Sequence, residues 1–307
     1  MRKFWIDTDT ASDDAVAILM ALQAPDVEVL GISVVAGNVP VDMGCQNAGY
    51  TVEVCEKNVP VYRGTALPLS REPSYAYFFH GPDGMGGMNY PATKTPIQTG
   101  GVEAMVNAIR KNPGEITLVT LGPLTNIANA LALAPDIAKK VKICYLMAGA
   151  ACTVGNVTPA AEYNVWFDPE AAYAVYHSGM KMVQVGWELC RGEANISDSE
   201  QADLRAIGTR RAEFAIDCNR QAVATNKKWL GDPSLPLPDP VTMAIALDPG
   251  IARRQGDYYV DIAYGQANTD GMTIVDERNV LQKPKTVTVV WEIDVPAWKR
   301  MLRESLL

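Results

Sequence analysis

Basic runs, paired cysteines and long hydrophobic stretches are all missing from this chain of 307 residues. Lys and Arg number 27 against 35 Asp and Glu, a net charge of −8. An acidic chain without a basic run is poorly suited to phosphate backbones, so no nucleic-acid partner is expected. The longest uninterrupted apolar run, Ala15–Leu22, is far too short to cross a bilayer, and no membrane partner is expected either. Met1-Arg2-Lys3 leads straight into a short strand with no apolar h-region, which argues against a secretory signal. The cysteines (Cys45, Cys55, Cys144, Cys152, Cys190 and Cys218) form no C-x-x-C pair and mostly sit in apolar stretches, as buried free thiols do. A reducing, cytoplasmic location is the expectation. Histidine is scarce too: His80 and His177 are the whole supply.

What is present is 48% hydrophobic residues, 20% charged ones and no excess of Gly or Pro, a globular composition able to bury a sizeable core. Short apolar runs alternate with amphipathic patterns. Strands are expected at Lys3–Ile6, Val27–Val35, Ile116–Leu121, Val141–Met147 and Met182–Val185. Helices are expected at Asp13–Gln23, Val41–Glu56, Gly101–Lys111, Leu124–Lys139 and Pro169–His177. This alternation predicts an α/β fold: an open, mostly parallel, Rossmann-like central sheet flanked by helices. Beyond Ser197 the pattern changes to a well-charged helical stretch at Asp198–Ala224, then a Pro- and Gly-rich stretch at Trp229–Pro240. A helix at Val241–Leu247, strands near Tyr258–Ala263 and Thr286–Ile293, and a closing helix at Ala297–Leu306 complete the chain. No linker or repeat interrupts it, so residues 1–307 are expected to form one domain, with the late helical region added over the sheet near the active site. Ligands of open α/β sheets sit beyond the carboxyl ends of the strands.

Asp7, Asp9, Asp13 and Asp14 crowd one such strand end, in IDTDTASDDA. Helix capping accounts for Asp13 or Asp14, since Asp at a helix start satisfies free N–H groups. It does not account for Asp7 and Asp9 on the preceding strand. Carboxylates this close repel one another and are best stabilised by a hard divalent cation with oxygen ligands, which favours Ca²⁺ or Mg²⁺ over zinc.

The segment IDTDTASDDAVAILMAL resembles the D-x-D-x-x-x-D-D signature of the inosine-uridine preferring nucleoside hydrolase family. Further similar blocks follow in order: VVAGN, HGPDGMG, ITLVTLGPLTNIA, LMAGA, GNVTPAAEYNVWFDPEAA and DPVTMAIALDP, spanning about residues 1–250. The rival D-x-D-x-T signature of haloacid-dehalogenase phosphatases wants Thr where this chain has Ala11. The resemblance implies a calcium-dependent hydrolase that splits ribonucleosides into ribose and free base, a reaction of purine and pyrimidine salvage. It implies Ca²⁺ held by Asp9, Asp14, Asp239 and the carbonyl of Leu121, and a metal-polarised water activated by Asp9 as general base. It places the substrate on Asp13, Asn38, His80, Asn156, Glu162 and Asn164. Asn and Glu suit a sugar because they offer fixed donors and acceptors, although Asn156 and Asn164 taken singly fit turn chemistry as well. A homo-dimer or homo-tetramer is expected by the same resemblance.

The chain also departs from the family. Many members carry His immediately before the late metal-binding Asp, where this one has Pro238, which cannot protonate a leaving base. His80, Arg220 or water is left to assist the leaving group. Cys190-Arg191 stands where relatives often have Thr-His. Asn219–Leu230, with Arg220 and Trp229, falls where relatives place a mobile helix over the base. Asp168 reads as a helix N-cap and His177 as a helix C-terminal residue. Two alternatives stay open: a ribose- or nucleoside-binding homologue without turnover, and a hydrolase of another N-ribosyl compound.

Overall fold

A computed structural model describes residues 1–265 and 267–307. Its frame is a nine-stranded sheet. In chain order the strands are β1 (Arg2–Thr8), β2 (Val27–Val34), β3 (Val61–Arg63), β4 (Ile97–Gln98), β5 (Ile116–Thr120), β6 (Ile143–Met147), β7 (Met182–Val185), β8 (Ala252–Tyr258), β9 (Val260–Ile262), β10 (Thr273–Val275) and β11 (Val287–Ile293). The large sheet runs β4-β3-β2-β1-β5-β6-β7-β11-β8, and β9 and β10 form a separate antiparallel pair. All pairings in the large sheet are parallel except β11 with β8.

The chain starts in the middle of the sheet. It builds outward through β2, β3 and β4, then returns to lay β5 on the other flank of β1. The reversal lies between β1 and β5, where an open α/β sheet forms a crevice at the carboxyl ends of its strands. Asp9 follows the last residue of β1, and Leu121 follows the last residue of β5.

Helices cover both faces because alternate strand residues are apolar in opposite directions. In β1, Phe4 and Ile6 enter one core and Trp5 the other. The helix Ser12–Gln23 is apolar all round from Ala15 to Leu22 and almost wholly buried, wedged between the sheet and the helices Pro238–Leu247 and Val295–Leu306.

The stretch expected to be helical, Asp198–Ala224, is divided among the helices Asp198–Arg205 and Arg210–Asp217 and the first part of Arg220–Leu230. Gly208 at positive φ and the Thr209 cap, whose hydroxyl accepts from Ala212 N–H, divide the first two. The expected helix at Leu124–Lys139 is α-helical only over Thr125–Leu133, and Pro135 starts a 3-10 turn. The strand expected near Tyr258–Ala263 is the end of β8 and the separate β9. Among the described residues no helix is long and apolar enough to cross a membrane.

Candidate active site

The crevice is stapled by its own backbone. Leu121 N–H donates to the Asp7 carbonyl at 2.8 Å and Val35 N–H to that of Thr8 at 2.9 Å, which holds the ends of β5 and β2 against β1. The Asp7 carboxylate turns into the helix layer and accepts from the Ser33 hydroxyl and from Asn126 Nδ2. Burial pushes it up to about 7. Asp7 is thereby a brace beneath the crevice.

Asp9 is fully buried. Asn38 N–H donates to its Oδ2 at 2.6 Å, and its Oδ1 is buried with no partner. Gly37 and Gly122 flank it so closely that a Cβ on Gly122 would lie 2.5 Å from Oδ1, and one on Gly37 would collide with Oδ2. Asp13 and Asp14 occupy the first turn of the helix Ser12–Gln23. Asp14 accepts from the Thr8 hydroxyl at 2.6 Å and from Ala11 N–H at 2.9 Å, so it also caps the helix. Asp239 comes from the first turn of the helix Pro238–Leu247. Asp13, Asp14 and Asp239 bring carboxylate oxygens within 4.8 Å of one another, and Asp9 lies beside them. Burial pushes Asp13 and Asp14 up to about 6. Burial and the neighbouring carboxylates hold Asp9 and Asp239 well above the usual range. Asp13 Oδ1, like Asp9 Oδ1, is buried without a partner. Oxygen donors with unspent lone pairs, and no Lys or Arg paired with them among the described residues, fit a hard cation.

Above this cluster opens a cavity of about 290 Å³. Asp13, Asn38, His80, Leu121, Asn156, Glu162, Asn164 and Asp239 all line it, which gathers residues far apart in the chain into one wall. Asn164 Nδ2 donates to the carbonyls of Leu121 at 2.7 Å and Met147 at 3.0 Å. Glu162 caps its own short helix, accepting from Asn164 N–H, Val165 N–H and Gly149 N–H, and burial pushes it up to about 7. Asn156 Oδ1 takes Tyr163 N–H at 2.9 Å. Glu162 and Asn156 thus do cap and turn duty while facing the cavity.

Apolar side chains line the cavity as well: Phe78, Phe79, Met147, Trp187 and Trp229, with the rings of Phe78 and Trp229 stacked at 5.5 Å. Trp229 is 58% exposed, so ordinary core packing does not account for it. Pro238 lines the cavity at the position noted above. Arg220, a leaving-group candidate, points elsewhere: its guanidinium donates to the Gly86 and Gly87 carbonyls, both at 2.6 Å, and ties the late helices to the Gly-rich loop. His80 is buried, with Nδ1 2.9 Å from the Ser12 hydroxyl, and burial pulls its pKa down to about 4. Asp168 and His177 close the two ends of the helix Pro169–Tyr176, Asp168 accepting from Ala171 N–H at its start and His177 placing Nδ1 on the Tyr173 carbonyl at its end, each as the sequence suggests. Sequence reasoning missed Ser12, Gly37, Gly122 and Phe78, although each lies within or beside a block it singled out.

Residues 4–300 match the family model described as inosine-uridine preferring nucleoside hydrolase. The pyrimidine-specific ribonucleoside hydrolase RihB of Shigella flexneri is 34% identical over 306 residues, covering 99% of this chain and 97% of its own. Among solved structures, the plant nucleoside hydrolase PpNRh1 superposes with a TM-score of 0.94 at 29% identity, covering 99% of this chain and 98% of its own. A purine-preferring ribonucleoside hydrolase from Gardnerella vaginalis does so with 0.91 at 26% identity, covering 99% and 98%. The chain belongs to the inosine-uridine preferring nucleoside hydrolase family, and with it to the N-glycosyl hydrolases that act on ribonucleosides.

Proposed function

We propose that the protein hydrolyses ribonucleosides to ribose and free base with Ca²⁺ as cofactor, held by Asp9, Asp14, Asp239 and the Leu121 carbonyl, and with Asp9 as general base. The observation that carries this reading is electrostatic. Asp9, Asp13, Asp14, Glu162 and Asp239 are all buried; Asp13, Glu162 and Asp239 line one cavity, Asp9 and Asp14 lie behind that lining beside Asp13 and Asp239, and no Lys or Arg is among the cavity's described lining residues. Two unit charges about 4 Å apart repel by about 4 kcal/mol at an effective dielectric of 20. Such a group must therefore hold protons or a cation. A base must be free of its proton, so the cation is the productive alternative. All-oxygen donors favour calcium over zinc, and calcium's usual shell of about six to eight oxygens leaves room for substrate. When bound, the ion would offset the crowded charge and acidify the attacking water.

The chain's own residues supply the rest. Asp9 Oδ1 spends no lone pair on the protein and is the atom that accepts the proton of water. Asp13, Asn38, Asn156, Glu162 and Asn164 face the ribose hydroxyls from the polar wall, and the base lies against Phe78, Trp187 and Trp229. Ribose held by many polar contacts is positioned for attack as positive charge grows at its anomeric carbon. Pro238 favours one further reading, in which the natural substrate is another N-ribosyl compound whose leaving group departs without protonation.

Release of reducing sugar from a panel of purine and pyrimidine nucleosides tests the function, with metal content measured on protein purified without chelator. Calcium and sugar release are expected in the wild type, and loss of both in Asp239→Ala. Zinc, or no divalent ion at all, would sink the calcium assignment. We extend the reading to one domain over residues 1–307, a cytoplasmic location and a homo-dimer or homo-tetramer, the last to be read by sedimentation.

A further inference from the structure

The Ser12 hydroxyl is nearly inaccessible, and among the described residues its hydrogen-bond partner is His80 Nδ1, at 2.9 Å; the Asp13 carboxylate also faces that nitrogen but at 3.7 Å, beyond hydrogen-bond reach. That isolation fixes a direction. If the hydroxyl accepted from Nδ1–H, its own hydrogen would be buried with nothing to receive it, at a cost of the kind that folded proteins avoid. If it donates to Nδ1, both groups are satisfied and the ring proton resides on Nε2. Among the described residues Nε2 has no protein partner, nor is it one of the buried polar atoms left unpaired, and His80 lines the cavity. Nε2 therefore opens onto the ligand space.

We propose that Ser12 is a positioning residue that locks His80 as its Nε2–H tautomer. This makes the ring a hydrogen-bond donor to an acceptor on the leaving base, a carbonyl oxygen or an unprotonated ring nitrogen, and not the source of its proton. A neutral imidazole N–H donates a hydrogen bond without giving up its proton near neutral pH. The favoured substrates are then nucleosides whose base presents an acceptor to this wall. Stabilising charge on the departing base in this way partly makes up for the acid missing at Pro238. The role assigned to the base contact rests on the ribonucleoside hydrolase reading, whereas the tautomer does not.

Because the chain has only two histidines, ring-nitrogen NMR of the histidine-labelled full-length protein separates them, with His177 as internal reference. The wild type is expected to show one His80 tautomer with the proton on Nε2. Ser12→Ala should give a mixture, and Ser12→Thr should restore the single form. In parallel, kcat/KM for uridine and inosine should fall about tenfold in Ser12→Ala, the worth of one directed hydrogen bond, and recover in Ser12→Thr. The loss on p-nitrophenyl riboside, whose leaving group offers no base acceptor, should be several-fold smaller. A wild-type proton on Nδ1 overturns the proposal whatever the kinetics. So does an unchanged His80 spectrum in Ser12→Ala, or an equal loss on all three substrates. If the wild type cleaves no nucleoside, the functional reading fails while the tautomer signal still decides the role of Ser12.

Discussion

Asp9 occupies a slot that backbone alone leaves open. Gly37 and Gly122 press on its two oxygens, and Asn38 N–H anchors Oδ2. Asp9→Asn keeps the shape but removes the basicity. Turnover should fall by about 10²–10⁴-fold, the usual worth of general-base assistance, with ribose binding partly retained. Near-normal kcat in this variant would remove Asp9 from the role. Gly122 has an ordinary backbone conformation, so its constraint is space: a methyl there meets Asp9 Oδ1 at 2.5 Å. Gly122→Ala should therefore cost at least tenfold in kcat, since a displacement of about 1 Å in a catalytic group is worth that or more. Its far-UV circular dichroism should be unchanged. The two substitutions also show how far the residue scale is legible in sequence. The aspartates announced themselves because four carboxylates within eight positions have no adequate capping explanation. The two glycines did not, because their role depends on Asp9 packing between β2 and β5, a contact that spacing along the chain does not reveal. Ser12 was overlooked for the same reason: its partner lies 68 residues away.

Between residue and molecule lies the loop that carries His80. Gly81, Gly84, Gly86 and Gly87 all have positive φ, and the Asp83 carboxylate gathers Met85 N–H, Gly87 N–H and Asn89 N–H at 2.9, 2.7 and 2.7 Å. Asp83 thus acts as the hub of a turn whose glycines supply the conformations that other residues resist. Asp83→Ala should cost about 2 kcal/mol, less than three full charge-assisted bonds because the site is partly open to water. KM for nucleosides should rise more than kcat falls, since the loop positions His80, which lines the cavity. Thermal melts and steady-state kinetics check both, and an unchanged KM would show that the loop does not report to the site. Legibility varied among elements as it did among residues. The parallel strands β1, β2, β5, β6 and β7 are buried apolar runs and were readable. The strands β3 and β4 are only 3 and 2 residues long, and β8 carries the polar run Arg253, Arg254 and Gln255 at the sheet edge. Neither kind offers the alternation that marks a half-buried strand. The helical character of the late region was readable but its breaks were not, because Ile207, Gly208 and Thr209, and then Cys218 and Asn219, interrupt the pattern only briefly.

At the scale of the whole molecule, the fold spends stability to concentrate acid at the sheet's switch point. The free groups ionise near 3.8 for Asp and 4.5 for Glu, whereas burial pushes Asp13 and Asp14 up to about 6 and Asp7 and Glu162 up to about 7. The folded state thus holds these protons more tightly than the unfolded chain does. Their contribution to stability is complete below the free values and is lost as pH rises through about 6 to 7. A cation binds the ionised carboxylates, so its stabilisation grows over the same interval. The gap in Tm between calcium-loaded and chelator-treated protein should therefore widen as pH goes from about 5 to about 8. At saturating calcium it should reach on the order of 5 °C, from a linkage energy of about 4 kcal/mol spread over the large unfolding entropy of a chain this size. The chelated protein alone should melt lower at the alkaline end. Asp239→Ala, lacking one carboxylate of the cluster, should show little calcium dependence and a chelated Tm at or above that of the wild type, because one buried repulsion has been removed. Scanning calorimetry across this pH series decides the matter. A gap that stays constant, or that narrows toward alkaline pH, would mean that the buried carboxylates are answered by something other than a cation.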